Sequence, residues 1–143
     1  MLMSDAAGYE IFAVTADKGI RAWGRTLPEL FVHAACGLRS LMVDAGEACA
    51  DRMFPVSLQA EDREALLVAW LNELLYLYEV EKFVAVRLMV TDLSDTRLEA
   101  EVWGETVNPN RHIIISHVKA VTYHQLRMRA IENGWEAQMV VDV

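Results

Sequence analysis

A chain of 143 residues with 54% hydrophobic side chains and only three prolines has the length and composition of one packed globule, which excludes a disordered tail and leaves no stretch that reads as a linker. Its 21 acidic residues against 13 basic ones give a formal net charge of -8. That balance repels phosphate backbones at long range and disfavours direct RNA binding, and it suits a cation or a protein partner better.

Residues 9–16 are rich in strand formers, and after Asp17-Lys18-Gly19 a second short strand is predicted over 20–24, which sets Asp17 at a turn. Thr26 with Glu29 three positions later forms a capping box. Behind it Leu27, Leu30, Phe31, Ala34, Ala35, Leu38, Leu41 and Met42 recur at helical spacing, predicting a helix over 27–43. Residues 53–60 read as a strand. Glu61, Asp62 and Glu64 then bring negative charge to the start of a second helix, where the helix dipole favours it. Its apolar face runs through Leu66, Leu67, Trp70, Leu71, Leu74, Leu75 and Tyr78, and Asn72 and Glu73 interrupt it, as expected of a helix packed on a sheet and not of a membrane segment.

From Val84 the period drops to two. Val84, Val86, Leu88 and Val90 alternate with Ala85, Arg87 and Met89, as Leu98, Ala100 and Val102 do with Glu99, Glu101 and Trp103, and a turn through Ser94-Asp95-Thr96 pairs the two strands. A further strand is predicted over 113–122. Asn133-Gly134, between 126–131 and 135–143, is a type I′ hairpin signal. Two early helices and a strand-rich second half predict an α+β two-layer sandwich over 1–143, a mainly antiparallel sheet with two principal helices packed on one face. Cys36 and Cys49 form no CxxC pair and have no histidines at zinc-finger spacing, so reduced thiols are expected. Residues 1–10 lack a basic n-region followed by an apolar stretch, and no segment reaches bilayer-spanning length, so a cytoplasmic location is expected.

Asp17 follows the opening strand, and Asp142 is the penultimate residue of the closing one, whose Val143 adds a terminal carboxylate. Together they supply oxygen ligands for a hard divalent cation if the fold brings them together; the alternative is that each is a solvated turn or end residue. Lys119, Tyr123 and His124 offer a cation, a phenol and an imidazole within six residues. If 113–122 is one strand, His117, Lys119 and Val121 share a face, and the alternative reading is a half-buried strand with its polar residues in water. His33 reads as a partly buried helix residue and His112 as a loop residue. There is no Gly-rich phosphate loop, GxSxG, HExxH or Cys-His pair, which leaves no independent enzyme signature.

Several segments in order resemble the archease family. They are Val-Thr-Ala-Asp-Lys-Gly-Ile-Arg-Ala-Trp-Gly at 14–24, Leu-Met-Val-Asp at 41–44, Trp-Leu-Asn-Glu-Leu-Leu-Tyr at 70–76, Gly-Glu at 104–105, Lys-Ala-Val-Thr-Tyr-His at 119–124 and the closing Gly-Trp-Glu-Ala-Gln-Met-Val-Val-Asp-Val. The resemblance implies a small accessory protein, itself no enzyme, that activates an RtcB-type RNA ligase in tRNA splicing and RNA repair by promoting attachment of GMP to the ligase's own histidine. RNA would be met only through the ligase. It also implies that Asp17 and Asp142, with a main-chain or terminal oxygen of Val143, hold a divalent cation, calcium first and magnesium or manganese as alternatives. Lys119, and with it His124, would face the partner or its nucleotide. The family pattern before this aspartate is His-Thr-Ala-Asp, and here the first position is Val14, so no role of that imidazole carries over. Two rival readings stand beside it: a small metal-dependent phosphoester hydrolase using Asp17, Asp142 and His124, and a general protein-interaction or chaperone-like module.

Overall fold

A computed structural model describes residues 8–143; the opening seven residues, part of the stretch read above for a leader, lie outside the described residues. In chain order the elements are β1 (Tyr9–Val14), β2 (Asp17–Gly24), α1 (Leu27–Met42), β3 (Val43–Asp44), β4 (Arg52–Gln59), α2 (Arg63–Glu79), β5 (Phe83–Leu93), β6 (Arg97–Thr106), β7 (Ile113–Ile114), β8 (Ala120–Val121), β9 (Arg127–Ile131) and β10 (Gly134–Asp142). The class is α+β, and the strands are shared among a five-stranded sheet in the order β1-β2-β10-β8 with β9 also on β10, a three-stranded sheet β4-β6-β5, and the pair β3-β7. Every pairing is antiparallel. Among the described residues no helix is long and apolar enough to cross a membrane.

Both helices start where side chains satisfy their free amides. Thr26 Oγ1 accepts from Glu29 N at 3.2 Å, and the Glu29 carboxylate accepts from Arg25 N at 2.9 Å, one residue upstream of the usual box partner. Asp62 caps α2 by accepting from Ala65 N at 2.8 Å. Leu66, Leu67, Val68, Trp70, Leu71, Leu74, Leu75 and Leu77 of α2 are all buried, which covers more than one side of a helix. The reason is its position: it packs against α1, against the three-stranded sheet and against β8. One continuous core joins Ile20, Ala22, Met139 and Val141 of the large sheet, Phe31 and Leu38 of α1, Trp70 and Leu71 of α2, and Val84, Leu98 and Val102 of the small sheet.

Three sequence expectations shift. The second strand begins at Asp17, not at residue 20, because Val14 pairs with Asp17 around a two-residue turn in which Ala16 takes φ 66°. The predicted strand over 113–122 is two short ones. Ile113 and Ile114 pair with β3, Ala120 and Val121 pair with β10, and the residues between them cross from one sheet to the other. His117, Lys119 and Val121 therefore do not share a strand face; Val118 and Val121, three apart, are the buried pair. In the last hairpin Gly134 pairs with Ile131, so the turn is Glu132-Asn133 with Asn133 at φ 65°, one residue earlier than Asn133-Gly134. Gly134 is needed for another reason: a Cβ there would lie 2.2 Å from the Gly24 carbonyl oxygen.

Gly104 is the tightest such approach. A Cβ on it would lie 1.8 Å from the Val84 carbonyl oxygen and 2.9 Å from the Phe83 ring, beside the irregularity between Ala85 and Arg87 where β5 shifts register on β6. Gly104→Ala must push β5 away from β6, and we expect a loss of about 1–3 kcal/mol in urea unfolding, the usual range for overpacking.

Candidate functional site

The register of the large sheet brings the two aspartates together. Val140 pairs with Gly19 and Val141 with Lys18, so the next step of the same ladder sets Asp142 opposite Asp17. Residues directly opposite on antiparallel strands share a face, with Cα atoms about 4.5–5.5 Å apart. Ile20, Ala22, Ala137, Met139 and Val141 point into the core, so by alternation Asp17 and Asp142 lie on the other face, at the end of the sheet formed by the β1-β2 turn and the end of β10. Asp142 is exposed and Asp17 half-buried. Two like charges held opposite each other repel, and a cation between them relieves that repulsion.

Lys119 reaches the same end from the crossing segment: its backbone N donates to the Asp142 carbonyl oxygen at 2.8 Å. Asp17, Asp142, Val143 and Lys119 thus gather at one tip. His124 does not. From Ala120 opposite Asp142, β8 runs away from the tip, and His124 sits exposed beyond it with its backbone N donating to Thr122 Oγ1 at 3.2 Å. A cleft of about 410 Å³ beside α1, lined by Tyr9, Arg39, Asp44 and Ile115 among others, includes none of the predicted site residues, and its Arg39 guanidinium already donates to the Ala85 carbonyl at 2.8 Å.

The crossing segment is anchored before it arrives. Glu105, at the end of β6, is 6% exposed and His112 2% exposed. Arg111 donates to both Glu105 oxygens at 3.1 and 3.2 Å, and His112 Nε2 meets Glu105 Oε2 at 2.7 Å. Because the Asn108 backbone N donates to His112 Nδ1 at 2.9 Å, the hydrogen bonds assign the proton to Nε2, which donates to the carboxylate. Farther on, Ile115 N donates to the Met42 carbonyl at 2.8 Å and Ser116 Oγ to the Leu41 carbonyl at 2.6 Å. His112 is a loop residue, as expected, and one buried to hold that loop.

The His112 hydrogen bond, assisted by Arg111, holds the Glu105 carboxyl below the usual glutamate value of 4.5. A depressed carboxylate stabilises the fold above its unfolded value and loses that contribution as pH falls through its folded value. Thermal melts are therefore expected to drop as pH falls from about 5 to about 3, and Glu105→Gln is expected to make that drop shallower. An equal drop in the variant would assign the acid sensitivity to other carboxylates.

Residues 9–143 match the model of the archease protein family (MTH1598/TM1083). The chain belongs to the archease family. It is 37% identical over 144 residues to the protein archease of Methanosarcina acetivorans, covering 98% of this chain and 99% of that one. To the Thermococcus gammatolerans archease it is 38% identical over 140 residues, covering 94% and 98%. The solution structure of Methanobacterium thermoautotrophicum protein 1598 superposes with a TM-score of 0.81 at 30% identity, over 96% of this chain and 99% of that one. A crystal structure from Thermotoga maritima, described as an archease and possible chaperone, shares the fold with a TM-score of 0.62 at 16% identity, over 94% and 96%.

The archease tip fits a hard cation in its donor chemistry. Asp17 and Asp142 offer carboxylate oxygens across one strand pair, and a main-chain oxygen of Val143 is one residue on, whereas soft sulfur or imidazole donors are not among them. Among the described residues no group of three or more His, Cys, Asp or Glu side chains is placed to hold a metal. Two carboxylates would be well short of the six to eight oxygens that calcium takes. The pairing of Glu105 with His112 had no signal in the sequence, although Gly-Glu at 104–105 carried part of the archease resemblance and His112 was read as a loop residue; it spans seven positions and follows no period.

Proposed function

We propose that this archease is an accessory protein that activates an RtcB-type RNA ligase by promoting its guanylylation and turnover, acting through the tip that carries Asp17, Asp142 and Lys119. The supporting observation is the register that pairs Val141 with Lys18, one step short of Asp142 and Asp17, with the Lys119 amide bonded to the Asp142 carbonyl. In this reading the tip holds a divalent cation, calcium or one of magnesium and manganese, on two carboxylates and a Val143 oxygen. The low count of side-chain ligands leaves coordination positions for phosphate or partner oxygens, as suits a nucleotidyl transfer in which metal ions position phosphates and neutralise developing charge. The ligase supplies the histidine nucleophile and the nucleotide pocket. Lys119 adds a positive charge beside the carboxylates, a phosphate contact or a contact to the ligase. The net charge of -8 suits approach to a basic RNA-binding enzyme and leaves RNA to the ligase. The setting in which such a ligase works is cytoplasmic.

Multiple-turnover joining of an RNA substrate tests this: a cognate ligase given GTP and divalent metal stalls after few turnovers alone and continues when the protein is added. Hydrolysis of a phosphoester by the protein without ligase would favour the metal-dependent hydrolase, a reading weakened because β8 runs from Asp142 away from the tip and His124 follows its far end. A chaperone-like module, the description attached to the Thermotoga maritima relative, would keep its effect in Asp17→Ala and extend it to unrelated partners.

A further inference from the structure

Val121 is buried, 4% exposed, and stands opposite Val141 of β10, at a position whose own N–H and C=O point away from β10 to the outer edge of β8. The flanking amides that reach β10 are Lys119 N to the Asp142 carbonyl at 2.8 Å and Thr122 N to the Val140 carbonyl at 3.2 Å.

At that edge Val121 leaves a buried backbone N–H and C=O to be satisfied, and an orphaned pair is costly. Asn72 of α2 satisfies both. Its Nδ2 donates to the Val121 carbonyl at 3.1 Å, and its Oδ1 accepts from Val121 N at 3.0 Å. One amide side chain, in the middle of the apolar face of α2, thus takes the part of a neighbouring strand at a single residue. On the other side of Lys119, Val118 is fully buried. Lys119 is held between a core anchor and the clamped Val121, with its own amide on Asp142.

We infer that Asn72 is a positioning residue for the tip: by satisfying Val121 it holds β8 in place two residues after Lys119, and so keeps Lys119 beside Asp142. This rests on the ligase-activating reading of the tip and deepens it. Without Asn72 the buried outer edge of β8 has no partner at Val121, so the segment opens more readily and Lys119 loses its fixed place beside the carboxylates.

The test uses Asn72→Leu, which keeps the helix face apolar, and Asn72→Asp, which keeps an acceptor for Val121 N and loses the donor, in case the first does not fold. Amide exchange by NMR and ligase guanylylation are read for each, beside Lys119→Ala and Asp142→Ala. The expected result is exchange about tenfold faster at Lys119 and Val121, unchanged protection at Ile20 and Met139 in the core, and acceleration reduced about tenfold or more. Unchanged Lys119 exchange overturns the clamp, as does full activation by the Asn72 variants when Lys119→Ala and Asp142→Ala fail. Full activation by all the variants overturns the functional reading and the inference together.

Discussion

Asp142→Ala is expected to fold with undiminished thermal stability and to lose its effect on the ligase. Asp142 is exposed at the end of β10, and the group that orders its surroundings is its backbone carbonyl, the acceptor for Lys119 N, which alanine retains. What alanine removes is a carboxylate opposite Asp17, and losing one of two like charges in register relieves repulsion. The fold therefore keeps or slightly gains stability in melts without added metal. Function is predicted to respond in the opposite sense. Loss of an outer-shell partner alone typically costs about 10–100-fold in metal affinity or activity, and Asp142 is one of two side-chain ligands in the proposed site. Guanylylation with the variant should fall to the rate of the ligase alone. Added calcium or manganese should raise the wild-type melting temperature by linkage and leave that of the variant unmoved. A variant that activates normally while its fold is intact would remove the tip from the account.

Trp70→Ala is expected to have the largest effect on stability, about 3–5 kcal/mol. Trp70 is the largest fully buried side chain, and its Nε1 donates to the Phe31 carbonyl in the buried interior at 2.9 Å. It therefore joins α2 to α1 by a polar bond as well as by packing. Alanine would leave a cavity at the meeting of both helices, the kind of site that collapses only partly. Urea unfolding by circular dichroism measures the loss, and Trp70→Phe, which refills most of the volume and omits the donor, separates the two parts. A change below about 1 kcal/mol for the alanine variant would mean that the helices are held by other contacts.

The helices were legible because their signals are local. Thr26 caps α1 as read, Asp62, read only as negative charge at the start of α2, proves to be its cap, and the burial of Leu30, Phe31, Ala34, Leu38 and Leu41 follows the spacing. The β5-β6 hairpin was legible from strict alternation across a short turn. The crossing segment was not, since Ile113-Ile114 and Ala120-Val121 are β-rich on either side of residues that pass between sheets, and composition cannot tell two short strands from one long one. Asn133-Gly134 misled by one position because Gly134 answers to the nearby Gly24 carbonyl and not to the turn. Asp17 and Asp142 were nominated from their places near the chain's two ends, but that they stand opposite is a matter of register between strands more than a hundred residues apart, which no local pattern encodes. Asn72 was visible as a break in an apolar face; its reason, the buried outer edge of β8 at Val121, exists only in the folded chain.

The most direct measurement is a time course of guanylylation of a cognate RtcB-type ligase, with GTP and divalent metal, with and without this protein at substoichiometric amounts. Each molecule of the protein is expected to support guanylylation of many ligase molecules. Acceleration that stops at one ligase per added protein, or its absence with an active and correctly paired ligase, would contradict this expectation.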